Sequence, residues 1–146
     1  MNHQHLSTNI SNNKKQKKNN NGNNIIQKID IKQTVDNFIA FYYSSLNTNP
    51  NQLASSNVLR GYSSIKYDGV KHSGKEYFDL VCNFFKNNIK MNPIKVDFIE
   101  SGSRRIDISL IGAASNKIDN KQFTQTFLLS HNEKGWFVKN SILIIV

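Results

Sequence analysis

Few side chains in this sequence combine a type and a spacing that could do chemistry. Tyr42 and Tyr43 are adjacent in an apolar stretch, Asp68 and His72 flank a turn signal, and Gln125 stands between Phe123 and Phe127. General acid–base catalysis needs a carboxylate or imidazole of tuned pKa in an apolar pocket, with an oxyanion donor in reach of the same substrate atom. Asp68 and His72 instead read as turn and loop residues, Tyr42 as a core ring with a wet hydroxyl, and Gln125 as a satisfied buried amide. Cys82 is the only cysteine, so no disulfide or Cys-based zinc site can form within the chain. His3 and His5 lie near the N-terminus, no His-Asp or His-Glu pair has ligand spacing, and there is no Gly-rich phosphate loop. The expectation is a protein with no catalytic residues, no metal and no cofactor.

The 146 residues suit one domain. The longest wholly apolar run, Ile142 to Val146, is far short of the ~20 residues of a membrane span, and the N-terminus has no apolar signal segment. A protein without a membrane segment, in a reducing compartment such as cytosol or nucleus, is expected. Net charge is +9 and unevenly placed, because Met1 to Lys28 holds Lys14, Lys15, Lys17, Lys18 and Lys28 with no acid. Asparagine fills much of that stretch and no aromatic precedes Phe38, so residues 1–28 are expected to form a disordered tail and residues 29–146 the domain. The lysine cluster has the composition of an import signal or a nucleic-acid tether, or of plain compositional bias. Beyond the tail, Arg104-Arg105 is an isolated pair with no aromatic stripe beside it. Nonspecific, salt-sensitive RNA contact by the tail is therefore the most that charge implies.

From Ile31 the apolar residues Val35, Phe38, Ile39, Tyr42 and Leu46 recur at helical spacing. Pro50, with Asn49 as cap, opens a short second helix to about Asn57; Gly61 leads into a strand through Tyr67, and Asp68-Gly69 is a turn. Ser73 and Glu76 have capping-box spacing and start a third helix bearing Phe78, Val81, Cys82 and Phe85. After Pro93 the period becomes two: Ile94, Val96, Phe98; Ile106, Ile108, Leu110; Phe123, Gln125, Phe127, Leu129; then Trp136 to Val146. Four linked strands after helices predict an α+β fold, an antiparallel meander with helices on one face. The face turned from the helices would carry Arg105, Asp107, Ser109, Ile111, Thr124, Thr126 and Leu128. The last strand is apolar at both parities, so its outer side needs a second cover, as a partner protein would provide.

The runs Phe38 to Tyr43, Tyr67 to Glu76, Phe123 to Leu129 and Gly135 to Val138 occur in the order and spacing of nuclear transport factor 2-like domains, and from Ile31 to Val146 the chain resembles that family. Within it, Tyr42 to Leu46 and Gly69 to Glu76 are most similar to the nuclear transport factor 2-related export proteins. The resemblance implies a cone-like curved sheet on three helices with an internal cavity, lined here by Tyr42, Phe123, Gln125 and Phe127. It implies a non-catalytic adaptor that heterodimerises with the matching domain of a large mRNA export receptor, helps bind nucleoporin Phe-Gly repeats, and shuttles between nucleus and cytoplasm in poly(A) RNA export. The implied interface is Ser109, Ile111, Thr124, Thr126, Leu128, Ile142 and Ile144. Leu143-Ile144-Ile145 stands where the export members have Phe-Arg-Phe, so their charged anchor is absent. The homodimeric carrier of GDP-bound Ran is the alternative that the resemblance offers. Its acidic position is kept at Asp68, but Ser115 to Lys121 holds one acid between two lysines, and Ile31 replaces its nucleoporin-binding Trp. The fold also hosts isomerases and dehydratases, so a cavity enzyme is the third reading.

Overall fold

The computed structural model describes residues 23–146, with side chains from Ile31 onward. Helix α1 spans Asn23–Thr48, α2 Asn51–Ser55 and α3 Lys75–Lys86; the strands are β1 Ser64–Tyr67, β2 Val70–Ser73, β3 Lys90–Glu100, β4 Arg105–Ser115, β5 Asn120–Asn132 and β6 Gly135–Ile145. Helix α1 thus begins before Lys28, so the boundary expected there falls inside a helix. No Gly or Pro interrupts the sequence from Asn23 to Asn49, and each residue added to a formed helix gains a backbone bond. The lysine cluster and the rest of residues 1–22 lie outside the described residues.

The sheet is curved and six-stranded, in the order β2-β1-β6-β5-β4-β3. Strands β3 to β6 form the antiparallel meander expected from their alternation. The sheet does not stop there, because β1 adds parallel to β6 and β2 folds back antiparallel on β1. The two-residue turn Asp68-Gly69, with φ of 53 and 78, closes that hairpin between Tyr67 and Val70. Three contacts pin β1 and the segment leading into it to β6: Ser63 Oγ donates to the Val138 carbonyl, Ser64 Oγ donates to Asn140 Oδ1 at 2.8 Å, and Val138 N–H donates to the Val58 carbonyl at 2.9 Å. Arg60 clasps the same corner. Its Nε donates to the Asn57 carbonyl at 2.7 Å and Nη1 to Asn132 Oδ1 at 2.8 Å, while the guanidinium lies 4.0 Å above the Phe137 ring.

Several local expectations are corrected. Ser73 is the last residue of β2 and does not cap α3; Gly74 occupies the cap position, and no side chain caps there. Gly74 has φ of 56, its N–H donates to the Ser63 carbonyl at 2.8 Å, and a Cβ on it would come within 2.6 Å of the Gly61 carbonyl oxygen. Strand pairing therefore overrides the capping-box spacing. Helix α3 buries Tyr77, Val81 and Phe84, one residue round from the expected Phe78, Cys82 and Phe85. Asn49 gives α2 no side-chain cap; its carbonyl accepts from Gln52 N–H at 3.1 Å, and Pro50 already has helical φ and ψ. Strand β3 starts at Lys90 rather than after Pro93, and a bulge between Pro93 and Lys95 leaves Ile94 exposed. Met91, on the near side of that bulge, is the β3 residue that enters the core.

Because φ is positive at Gly74 and the space beside it is taken by backbone, Gly74→Ala is expected to destabilise the domain by about 1–3 kcal/mol in urea unfolding. Ser73→Ala is expected to stay within about 0.5 kcal/mol. The reverse order would restore the cap to Ser73.

Candidate partner-binding face

The face of the sheet covered by helices holds the residues expected to line a cavity. Tyr42, Phe123, Gln125 and Phe127 are all buried, with Phe38 edge-on to Phe127 at 5.0 Å between ring centroids and Tyr42 edge-on to Phe127 at 4.8 Å. At this level the interior is occupied by these side chains themselves. Their polar atoms are joined in one network. Tyr43 Oη donates to Gln125 Oε1 at 2.5 Å, Gln125 Nε2 donates to Ser141 Oγ at 2.9 Å, and Ser141 Oγ donates to the Thr126 carbonyl at 2.8 Å. The Tyr42 and Tyr77 hydroxyls are 2.8 Å apart. The hydroxyl of Tyr42 is therefore dry, contrary to the wet position expected for it.

Burial decides the electrostatics of this network. It pushes the Tyr42 hydroxyl up to about 12, with bonds to Tyr77 and Gln125 opposing the rise only partly. Tyr43 and Tyr77 are raised well above the usual tyrosine value, again first by burial and then by the neighbouring Tyr42. All three remain neutral far past neutral pH. Asp68 sits at the tip of the β1–β2 turn, and His72 is half-buried in β2 opposite Ile65 rather than in a loop. These two are not brought to the tyrosines. Cys82 is partly buried on α3, and burial raises its thiol. Among the described residues no three His, Cys, Asp or Glu side chains gather as a metal site, and no helix is long and apolar enough to cross a membrane.

The opposite face collects the seven expected interface residues. Cα pairing puts Ser109 against Thr126 and Ile111 against Thr124, then Thr124 against Ile144 and Thr126 against Ile142. Leu128 pairs with Asn140 on one side and Asp107 on the other. Among the described residues no element covers this face: Ile111, Ile142 and Ile144 are 39%, 47% and 54% exposed, whereas Leu143, between the last two, is 1% exposed against the helix side. Thr124 is the direct neighbour of Ile144, with Thr126 on the diagonal and Leu128 further along. Two features escaped the sequence reading. Pairing of β1 with β6 brings Lys66 beside Ile142, and pairing of β2 with β1 brings Lys71 beside Lys66, so this face continues two strands further and turns basic there. At the far edge, Lys95 and Asp97 of β3 pair with Ile111 and Ser109. The two-residue turn at Asp68-Gly69 was the available signal for the extra hairpin. A cleft of about 500 Å³ lies where the hairpin meets β6, lined by Lys66, Tyr67, Asp68, Gly69 and Ile142 to Ile145.

A G3BP-like protein of Schizosaccharomyces pombe is 30% identical to this chain in an alignment of 111 residues that covers 72% of this chain and 25% of that protein. The chain thus spans about a quarter of the length of the curated relative it matches. Among solved structures, nuclear transport factor 2 from Cryptosporidium parvum superposes with a TM-score of 0.70 at 16% identity, over 80% of this chain and 95% of that one. A yeast complex of the deubiquitinase Ubp3 with its cofactor Bre5 contains a chain that superposes with a TM-score of 0.66 at 18% identity, over 80% and 96% of the two chains. At such identities the two structures show the fold alone. The family model described as the nuclear transport factor 2 (NTF2) domain matches residues 34–145. With helices on one face of a six-stranded sheet and an open aliphatic face on the other, the chain belongs to the nuclear transport factor 2 domain family.

Proposed function

We propose that this chain is a non-catalytic adaptor that works by pairing the outer face of its sheet with a second domain of the same fold. The observation behind this reading is the alternation in β6: Leu143 completes the core, while Ile142 and Ile144 are exposed on a face that no element among the described residues covers. Exposed aliphatics on an open sheet face, edged by charge, have the composition of an interface centre with its rim. The yeast complex of Ubp3 with its cofactor Bre5, which contains a chain of this fold, supports partner binding in general.

The finer reading is that the second domain belongs to a large mRNA export receptor, and that the pair supports nucleoporin binding and poly(A) RNA export while shuttling through the nuclear pore. It draws on the resemblance of Tyr42 to Leu46 and Gly69 to Glu76 to the export proteins. Ile144 in place of their charged anchor makes the contact more apolar at that point. A homodimer carrying GDP-bound Ran is less favoured, since the β4–β5 loop has Asp119 between Lys117 and Lys121. Enzyme action is disfavoured by the interior. A catalytic acid works best with its pKa near the operating pH, and burial moves these tyrosines the other way. Copurification from the native source, with the mass of the complex recovered, distinguishes the export pair from a carrier that brings down Ran.

Two further outcomes are expected. Tyrosines held neutral in the fold ionise at about pH 10 once unfolded, so stability is unaffected by them below that pH and falls above it. Each contributes a loss of about 1.4 kcal/mol per pH unit until its folded value is reached, and Tyr42→Phe is expected to reduce the slope by that amount between pH 10 and about 12 in urea unfolding. Hydroxyls that titrate near pH 10 in the folded protein, followed by ultraviolet absorbance, would mean an interior open to water. For the face, Ile144→Asp puts an ion into a dry contact and is expected to weaken pairing by about 2–4 kcal/mol while changing monomer stability by less than about 1 kcal/mol. Leu143→Asp is expected to unfold the domain. Unchanged partner affinity in a well-folded Ile144→Asp protein removes the pairing proposal.

A further inference from the structure

We propose that the end of the sheet where β4 passes into β5 docks on an anionic lipid bilayer, with the Ile118 side chain entering the interfacial layer and the lysines around it meeting the head groups. The contact is separate from pairing at Ile142 and Ile144, so it goes beyond the adaptor reading and is tested apart from it.

The observation is the charge that surrounds two bare isoleucines. Ile118 stands at the tip of the β4–β5 loop with 92% of its surface exposed. The loop holds it there: Asn116 Oδ1 accepts from the N–H of Ile118 at 2.8 Å and from that of Asp119 at 2.7 Å, and Asn116 N–H donates to the Asp119 carbonyl at 2.9 Å. A closed turn thus presents an aliphatic side chain to the surroundings. Ile94, turned out by the bulge in β3, is 72% exposed and shares a cleft of about 330 Å³ with Lys121. Lys95 follows Ile94 in the chain, and Lys117 precedes Ile118. Among the described residues none of Lys95, Lys117 and Lys121 enters an ion pair, and the one acid in the loop is Asp119.

An aliphatic side chain that projects from a loop tip, rather than lining a groove, suits a soft apolar medium better than the packed surface of another protein. Unpaired lysines beside it are drawn by the negative potential of an anionic leaflet, and their methylenes can follow the isoleucines inward while the ammonium groups stay among the head groups. RNA offers the same phosphate charge but no apolar layer for Ile118. The other end of β3 is the internal comparison. Ile99 is 69% exposed there, yet it pairs with Asp107 and precedes Glu100, and both carboxylates would be repelled by the same leaflet. Of the two ends of this strand, only the one beside the β4–β5 loop joins bare aliphatics to an excess of positive charge. Such a contact lies on the bilayer and needs no spanning helix.

The test is cosedimentation of the full chain with vesicles of equal parts phosphatidylserine and phosphatidylcholine, compared with phosphatidylcholine alone, with melting temperatures to confirm folding. Binding to the mixed vesicles and little to the neutral ones is expected. Ile118→Ser, which leaves the charge unchanged, is expected to weaken binding roughly tenfold, and Lys117→Glu by at least about fivefold. Ile99→Ser is expected to bind as the parent chain does. A parent chain that ignores the mixed vesicles overturns the proposal. So does binding that falls with salt but is indifferent to Ile118→Ser, since Lys14, Lys15, Lys17 and Lys18 would then account for it by charge alone. Binding of single-stranded polyuridine, weakened by Lys117→Glu and not by Ile118→Ser, in a chain that ignores vesicles assigns the lysines to nucleic acid and overturns it as well. Ile144→Asp is expected to leave vesicle binding unchanged, so failure here leaves the adaptor reading standing, and failure of pairing leaves the bilayer contact.

Discussion

The fold turns on one buried amide. Gln125 sits in the middle of β5 with Phe123 and Phe127 on the same side, and its two ends are bonded to the Tyr43 hydroxyl and the Ser141 hydroxyl. A slip of β5 by one residue would carry Gln125 to the solvent and Thr124 and Thr126 into the core, breaking both bonds and emptying the space of two phenyl rings. Leaving a buried polar group without its partner is far more costly than the bond is worth in water, so the network fixes register more firmly than apolar packing alone. Register in β5 sets register in β4 and β6, and hence which residues are thrown outward.

That constraint links the interior to the exterior. Once Leu143 and Ser141 point at the helices, Ile142 and Ile144 have no choice but the other face, where β4 and β5 contribute Ser109, Ile111, Thr124 and Thr126. The interior holds large buried rings and a hydrogen-bonded set of neutral hydroxyls and one amide. The corner clasped by Arg60 and Ser63 extends the surface by docking β1 and β2 beside β6. In this way a short hairpin, distant in sequence from the meander, adds the basic end of the face.

What could be read in the sequence was what local periodicity encodes. Strict alternation in β4 and β5 announced two faces correctly, and Leu143 and Ile144 fell on the sides expected of them. The failures share a cause. Ser73 and Glu76 satisfy the spacing of a helix cap, yet the backbone there is claimed by pairing of β2 with β1, a contact decided by β6 some seventy residues away. On α3 two neighbouring stripes are both apolar, and which one faces inward depends on what α1 and the sheet present, a rotation of about 100° that composition does not settle. The bulge after Pro93 moves Ile94 out of the alternation for a similar reason. The run of paired residues across the face from Lys71 to Asp97 is the extreme case, since it exists only after all six strands are in place.

The central claim is that the face bearing Ile111, Ile142 and Ile144 is covered when the protein is at work. Isoleucine methyl resonances recorded with a soluble paramagnetic probe, in the dilute chain and in the assembled complex, report on it directly. In the assembly the methyl groups of Ile111, Ile142 and Ile144 are expected to be shielded, with Ile118 on the β4–β5 loop still reached by the probe. Shielding that falls elsewhere, with Ile142 and Ile144 as accessible in the complex as in the dilute chain, would contradict it.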